Sequence, residues 1–190
     1  MPKEKNNTIK ERLKKVEIGT VIKQDISGNQ ARNIYLAIGS NLGNRKLNIE
    51  RTKFHLNEKL IKLIKSSEYY ETPSWPDPKK PKFLNIVIKV KCNFEPNDLL
   101  KICKNIEVKL GRKKALKNSP RVCDIDIIDF NGLISKKKLI LPHKLMHKRS
   151  FVLLPLFEIE KQWLHPIFKT YVKKLIYYLP NKDIRSIKKV

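Results

Sequence analysis

The segment Pro120–Phe130 constrains the fold of this chain more than any other. It reads Pro-Arg-Val-Cys-Asp-Ile-Asp-Ile-Ile-Asp-Phe, and apart from its carboxylates it has the apolar, β-branched composition of a buried strand. Because residues i and i+2 of a strand point to the same face, Asp124 and Asp126 are predicted to lie side by side. Two like charges at this spacing repel each other, and burying them unpaired is costly. The pair therefore needs a cation.

A carboxylate pair of this kind is typical of a magnesium site. Mg²⁺ prefers hard oxygen ligands, usually keeps several waters and takes phosphate oxygens as further ligands. Arg121, directly before the strand, is placed to meet the same phosphates. The alternative is a solvated edge strand with alternating charges. Ile125, Ile127 and Ile128 argue against that alternative, because they place both faces of the strand near a core.

Length and composition indicate an ordinary globular chain. Its 190 residues fit one domain with a proper core, and 41% of them are hydrophobic. The apolar run at 151–157 is far too short to span a bilayer. The N-terminus has no apolar signal core, so we expect a cytoplasmic protein without membrane attachment. Cys92, Cys103 and Cys123 are odd in number and lack zinc-site spacing, which predicts reduced, structural thiols.

The net charge of +24 favours a polyanionic partner at first sight. However, only eight of the 42 basic residues are arginines, and the lysines are spread along the whole chain. Base readers and phosphate clamps favour arginine for its bidentate geometry. The sequence also has no zinc-finger, RNP or KH pattern. We therefore expect no specific nucleic-acid partner.

The chain divides into three parts by composition and patterning. Residues 1–32 are polar and weakly patterned, which predicts a loosely ordered extension. Residues 33–180 carry the periodic apolar segments of a single domain, and residues 181–190 are predicted to be a basic tail. Nothing in the sequence assigns a role to residues 1–32. We expect the protein to be a monomer.

Hydrophobic periodicity and turn signals predict the element order β-α-β-β-α-β. This order is typical of an α+β fold, a ferredoxin-like βαββαβ sandwich with helices on one face of an antiparallel sheet, plus C-terminal additions. The predicted elements are a strand at 33–38, a helix from 45 to about 64, a strand at 66–71, an irregular loop at 72–82, a strand at 83–91 with one solvated face, a helix at 95–110, the carboxylate strand at 122–130, a return strand at 138–141, and helices near 150–158 and 170–179.

Four segments in order resemble the 6-hydroxymethyl-7,8-dihydropterin pyrophosphokinase family over about residues 33–160. The most specific is Pro-Arg-x-x-Asp-x-Asp, preceded by Gly111-Arg112. The other three are Ala-Ile-Gly-Ser-Asn-Leu-Gly at 37–43, Tyr-Glu-Thr-Pro at 70–73 followed by Phe-Leu-Asn at 83–85, and Leu-Pro-His at 141–143 with Arg-x-Phe at 149–151. The resemblance implies pyrophosphate transfer from ATP to 6-hydroxymethyl-7,8-dihydropterin, releasing AMP, in folate biosynthesis. Its partners would be these small molecules.

The resemblance also implies roles for individual residues on the phosphate side. Asp124 and Asp126 would hold two Mg²⁺ ions that bridge the ATP phosphates, and Arg112 and Arg121 would stabilise charge on the transferred group. The remaining ATP contacts implied by the resemblance would come from Glu107, Lys138, His143, Lys144 and Arg149. Taken singly, His143 is about equally consistent with an exposed loop histidine, and Glu107 has a helix-surface charge as its alternative. Lys138, Lys144 and Arg149, taken singly, favour solvated surface side chains.

On the pterin side, the resemblance implies that two aromatic rings sandwich the flat substrate and that an amide reads its polar edge. The implied residues are Phe83 and Phe151 for stacking, Asn85 for hydrogen bonding, Thr72 and Pro73 for the pocket wall, and Trp75 for closure. Without the family context, the alternative for each aromatic is ordinary core packing. For Phe151, at the start of an apolar helix, core packing would then be the favoured explanation.

The sequence departs from the family pattern in the basic loop. The family usually has Trp-Gly-Pro-Arg where this chain has Asn-Ser-Pro-Arg at 118–121, and Lys138 and Lys144 replace an expected Arg and an aromatic residue. Two alternatives to the enzyme therefore stay open. One is a non-catalytic, basic ferredoxin-like module that binds RNA or another polyanion. The other is a pterin- or nucleotide-binding relic that has lost turnover.

Overall fold

The computed structural model describes residues 32–74, 77–113, 116 and 118–190. Their first half contains β1 (Arg32–Ser40), α1 (Arg45–Glu58), β2 (Lys62–Ser66), β3 (Tyr70–Thr72), β4 (Phe83–Cys92) and α2 (Pro96–Lys109). The second half contains β5 (Asp124–Phe130), β6 (Ser135–Lys136), β7 (Ile140–Leu141), a 3₁₀ turn (Met146–Lys148), α3 (Ser150–Ile159), α4 (Val172–Tyr177), α5 (Asn181–Arg185) and β8 (Lys188–Lys189).

Six strands form one antiparallel sheet in the order β5-β1-β4-β3-β8, and β2 pairs with β4 beside β3. The predicted α+β class with an antiparallel sheet is confirmed. β6 and β7 form a separate two-stranded sheet with each other. The return strand expected at 138–141 therefore does not join the main sheet.

Helices cover both faces of the sheet. On one face, α1 and α2 bury Ile49, Leu56 and Leu99 against alternate residues of β1, β4 and β5. On the other face, α3 and α4 pack over Tyr35, Val87 and Ile128, among others. The prediction that all helices lie on one face of the sheet holds only for α1 and α2. The prediction that the strand at 83–91 has one solvated face is wrong, because both of its faces are covered by helices. The C-terminal additions thus supply the helices on the second face of the sheet.

The first helix is shorter than predicted. It ends at Glu58, Leu60 has a φ of 59°, and β2 begins at Lys62. Leu47 and Phe54, two of the apolar residues on which the predicted helix rested, are exposed. The buried face of the helix includes polar side chains that form local hydrogen bonds. Asn48 donates to Ser40 Oγ and to the Leu42 carbonyl, and Thr52 donates to the Asn48 carbonyl.

The C-terminal residues are part of the packed structure. Residues 181–190, expected as a tail, contain α5 and β8, and β8 pairs with Tyr70 and Glu71 of β3. Lys189 Nζ also lies 3.0 Å from Glu158 Oε1. The boundary expected at residue 180 is therefore wrong. Arg32, assigned to the extension, is the first residue of β1, while residues 1–31 lie outside the described part.

Two further expectations concern thiols and membranes. Cys92, Cys103 and Cys123 are buried and free, and burial raises the pKa of the Cys103 and Cys123 thiols to about 12. No helix in the described part of the chain is long and apolar enough to cross a bilayer.

Candidate active site

The carboxylate pair lies at the start of β5, which is an edge strand of the main sheet and pairs with β1. Asp124 is in register with Gly39 of β1, and Asp126 is in register with Ala37. The glycine at this position is needed for space, because a Cβ on Gly39 would lie 2.9 Å from Asn85 Oδ1. The absence of a side chain on Gly39 therefore leaves room for the Asn85 amide against β1.

Two cavities meet at these carboxylates. The first is lined by Thr72, Pro73, Phe83, Asn85, Asn118, Arg121, Asp124, Asp126, Arg149 and Phe151. The second is lined by Lys104, Arg112, Lys113, Leu116, Asn118, Ser119, Pro120, Arg121, Asp124, Asp126, His143 and Arg149. The first contains both predicted stacking rings, and the second is rich in cationic side chains. Their shared carboxylates lie where an aromatic ligand and a polyphosphate would meet.

In the first cavity, arginines contact both aromatic rings. The guanidinium carbon of Arg121 lies 5.2 Å from the centroid of the Phe83 ring, and that of Arg149 lies 5.5 Å from the Phe151 ring. These are cation–π distances. Asn85 is buried and donates from Nδ2 to Thr72 Oγ1 across 3.0 Å. Because its Nδ2 is engaged with Thr72, the orientation of this amide is fixed.

Asp124 is held between two arginines. Arg112 Nη1 lies 2.6 Å from Oδ1, and Arg121 Nη2 lies 2.6 Å from Oδ2. Burial would raise the pKa of Asp124, but the two guanidinium groups outweigh it and hold the pKa below its ordinary value. Asp124 is therefore ionised at neutral pH. Asp126 lies 3.2 Å from Arg149 Nη1 and 3.8 Å from His143 Nε2.

The donor set fits magnesium held jointly with a phosphate ligand. The described residues contain no cluster of three or more His, Cys, Asp or Glu side chains suited to a metal. The protein ligands available at this position are the two carboxylates on one face of β5. Mg²⁺ is commonly bound by one or two carboxylates together with substrate phosphates and waters. The negative charge of both carboxylates and the adjoining cationic cavity suit that arrangement.

Glu107 has a different environment from the one implied for an ATP contact. It is only 1% exposed and lines neither cavity. Its Oε1 accepts from the Ile125 amide across 2.7 Å and from Lys104 Nζ across 2.8 Å, and its Oε2 lies 2.7 Å from Arg112 Nη1. The structure therefore joins Glu107 to β5 and to Arg112 rather than exposing it to a ligand.

The other predicted ATP contacts divide into two groups. His143 and Arg149 line the second cavity, and burial lowers the pKa of His143 despite the opposing charge of Asp126. Lys138 and Lys144 are exposed and line neither cavity. Trp75 lies outside the described residues.

Sequence reasoning missed several cavity residues. Lys104, Lys113 and Asn118 line the second cavity without having been predicted. The position of Lys104 was available as a signal, since it precedes Glu107 by three residues and shares its helix face. Asn118 has a φ of 63°, a left-handed conformation that Asn adopts more readily than Trp.

Paired carboxylates between an aromatic pocket and a cationic groove are typical of metal-dependent phosphoryl-transfer enzymes. Residues 35–161 match the model of the 7,8-dihydro-6-hydroxymethylpterin-pyrophosphokinase (HPPK) family. The chain belongs to this family, which confirms the resemblance and with it the predicted class of ATP-dependent pyrophosphoryl transferases.

Curated relatives and solved structures agree with this assignment. The chain is 37% identical over 142 residues to the 2-amino-4-hydroxy-6-hydroxymethyldihydropteridine pyrophosphokinase of Aquifex aeolicus, covering 74% of this chain and 88% of the relative. It is 41% identical over 161 residues to a folic acid synthesis protein of Dictyostelium discoideum, covering 84% of this chain but 24% of that protein. The fold matches a crystal structure of Plasmodium falciparum HPPK-DHPS with pterin and p-hydroxybenzoate at 18% identity and a TM-score of 0.64, covering 85% of this chain and 47% of the other. The chain thus spans most of the bacterial relative and less than half of the longer proteins.

Proposed function

We propose that this chain by itself transfers pyrophosphate from ATP to 6-hydroxymethyl-7,8-dihydropterin, giving AMP and the pterin diphosphate. The observation that carries the proposal is the position of Asp124 and Asp126 at the junction of the two cavities. An acceptor hydroxyl in the first cavity and a triphosphate in the second would meet there. In-line transfer depends mainly on such positioning and on neutralisation of charge.

The first cavity supplies the features that a pterin requires. Phe83 and Phe151 offer ring faces for stacking on a flat heterocycle. Asn85 offers a carbonyl and an amide in a fixed orientation to the amide-like edge of the ring, and Thr72 and Pro73 complete the wall. We keep Trp75 as a proposed closing residue.

The second cavity supplies the features that a triphosphate requires. Arg112 and Arg121 would exchange Asp124 for phosphate oxygens, to which guanidinium groups bind in bidentate fashion. His143 and Arg149 would contact the same chain of phosphates. Lys138 and Lys144 remain proposed ATP contacts, and Glu107 would act on ATP only through Arg112 and Lys104.

Asp124 and Asp126 would hold two Mg²⁺ ions, which when bound supply neutralising charge and Lewis acidity to the phosphate oxygens. The chain's own groups then position the reaction. The pterin hydroxyl oxygen attacks the β-phosphorus as the bond from that phosphorus to the α,β-bridging oxygen breaks, and AMP leaves with this oxygen. The hydroxyl proton passes to solvent. Arg121, between the pterin ring stack and the carboxylates, would neutralise charge on the transferred group.

We further infer a ferredoxin-like βαββαβ topology, a monomeric state and a cytoplasmic location without a nucleic-acid partner. The strand order β5-β1-β4-β2 and the helices α1 and α2, which follow β1 and β4, support the topology.

The test is to incubate the purified chain with ATP, Mg²⁺ and 6-hydroxymethyl-7,8-dihydropterin and to follow AMP and pterin diphosphate by ion-exchange chromatography. We expect equimolar products, no ADP, and no AMP when the pterin is omitted. Binding of both ligands by calorimetry without AMP formation would identify a relic. Binding of RNA that competes with neither ligand, without AMP formation, would favour the basic module.

A further inference from the structure

We propose that Asn41 is a positioning residue that ties together the two loops on either side of the active site. This inference rests on the proposed function and assigns to it a residue that touches neither ligand. Asn41 follows β1 directly, is 3% exposed and lines neither cavity. Its effect on catalysis must therefore be exerted through other residues.

Asn41 forms three hydrogen bonds to the two loops, two of them to the loop before β5 and one to the loop between β3 and β4. Towards the loop before β5, Asn41 Oδ1 accepts from the Arg121 amide across 2.7 Å, and the Asn41 amide donates to the Arg121 carbonyl across 3.1 Å. Towards the loop between β3 and β4, Asn41 Nδ2 donates to the Pro81 carbonyl across 3.1 Å. One buried side chain thus fixes the backbone of Arg121 relative to the backbone next to Phe83.

The two loops so joined carry one side of each proposed subsite. Pro81 is two residues before Phe83, which offers a ring face to the pterin. Arg121 carries the guanidinium group proposed to neutralise the transferred phosphoryl group. Lys80 Nζ also donates to the Asn118 carbonyl across 3.0 Å, so a second hydrogen bond links the loops. The Asn41 side chain is itself buried, and a buried polar group is costly to leave without its hydrogen bonds.

Side-chain chemistry limits what can replace this residue. The position requires an acceptor towards Arg121 and a donor towards Pro81 on the same planar group, which an amide provides and a carboxylate does not. Alanine removes both side-chain hydrogen bonds, the one from the Arg121 amide and the one to the Pro81 carbonyl. Aspartate keeps the acceptor for the Arg121 amide but places a second acceptor against the Pro81 carbonyl. Comparison of the two variants therefore distinguishes the effect of the hydrogen bond to one loop from the effect of the hydrogen bond to the other.

The test compares Asn41→Ala and Asn41→Asp with Asn44→Ala in steady-state kinetics. Asn44 is the matched control because it lies in the same turn and caps α1 through the Leu47 amide without contacting either loop. For Asn41→Ala we expect kcat to fall roughly 10- to 100-fold, the KM for the pterin to rise about three- to tenfold, and the KM for ATP to stay within about twofold. Asn44→Ala is expected to lose stability with unchanged kcat and KM.

Asn41→Asp is expected to recover kcat but not the pterin KM. Exchange of the Arg121 amide with deuterium should be faster in Asn41→Ala than in the parent or in Asn44→Ala. The proposal is overturned if Asn41→Ala matches Asn44→Ala in kcat and exchange, or if Asn41→Asp restores both kinetic constants. If Asn41→Ala does not fold, Asn41→Asp alone decides. If the parent chain forms no AMP, the proposed function is refuted instead. The deuterium exchange rates of the Arg121 amide still test whether Asn41 links the two loops.

Discussion

Arg121 donates from Nη2 to Oδ2 of Asp124 across 2.6 Å while its guanidinium group lies against the Phe83 ring. One side chain thus contacts both a proposed metal ligand and a proposed pterin-stacking residue. Magnesium and triphosphate would replace this ion pair on binding, because the Asp124 carboxylate oxygens that accept from the arginine are the ones needed to coordinate the metal. Arg121 is then free to contact phosphate oxygens.

The first prediction concerns this arginine. Arg121→Ala should lower kcat on the order of 100-fold or more, since it removes a charge needed in the transition state, while changing ATP affinity much less. Steady-state AMP formation from ATP measures kcat, and calorimetric titration with a non-hydrolysable ATP analogue measures the affinity. Arg121→Lys is the matched variant. It keeps the charge but loses the bidentate geometry, so an intermediate kcat is expected, whereas weakened ATP binding with unchanged kcat would contradict the role.

The second prediction concerns the carboxylate pair. Asp124→Asn and Asp126→Asn should each reduce AMP formation on the order of 100- to 1000-fold or more, because magnesium loses one of its two protein ligands. Circular dichroism should show that both variants fold. Asp98→Asn, on the exposed side of α2 where Asp98 pairs with Lys101, is the control and should be fully active. Parental turnover of either site variant, with Mg²⁺ as the sole divalent ion, would refute the metal role.

Motif residues were predictable because strand alternation is a local property. The alternation placed Asp124 and Asp126 on one face, and both line the two cavities. The end of α1 was not predictable, because the apolar periodicity of Leu60 and Leu63 continues past Glu58 although those residues belong to a turn and to β2. Only pairing with β4, a tertiary contact, decides that segment.

The internal partners of the site were equally hidden from sequence. The burial of Glu107 depends on the Ile125 amide and Arg112, which come from a different strand and loop. The role of Asn41 depends on Pro81 and Arg121, which are 40 and 80 residues away along the chain. Residue type and spacing carry no record of such long-range hydrogen bonds.

The third prediction concerns pterin stacking. Phe151→Ala should raise the pterin dissociation constant about two- to tenfold, since a ring contact is worth roughly 0.5–1.5 kcal/mol beyond its buried area. ATP affinity should change less, as measured by calorimetry for each ligand. Phe157→Ala, in the same helix but outside both cavities, serves as control for the stability of α3. An equal loss of affinity for both ligands would indicate collapse of the helix rather than loss of stacking.

The last prediction concerns pH and His165, which is distant in sequence from the site motifs. His165 is 2% exposed and stacks on Phe168, and its Nδ1 accepts from the amides of Ile167 and Phe168 across 3.2 and 3.3 Å. Burial, aided by the charge of His147, lowers the pKa of His165 to about 4. The folded state therefore keeps this imidazole neutral below the unfolded pKa of 6.5, where the unfolded chain binds a proton.

Since the unfolded state binds more protons in that window, the stability contributed by neutral His165 is complete above about pH 6.5 and is lost progressively as the pH falls towards 4. We expect urea denaturation to show a loss on the order of 1–3 kcal/mol from this group between those pH values. His165→Asn keeps an acceptor for the two amides but cannot titrate. It should be less stable than the parent at pH 7 and show a flatter pH dependence, with His147 unchanged in both proteins. Parallel pH profiles for the two proteins would show that His165 is protonated in the folded state as readily as in the unfolded one.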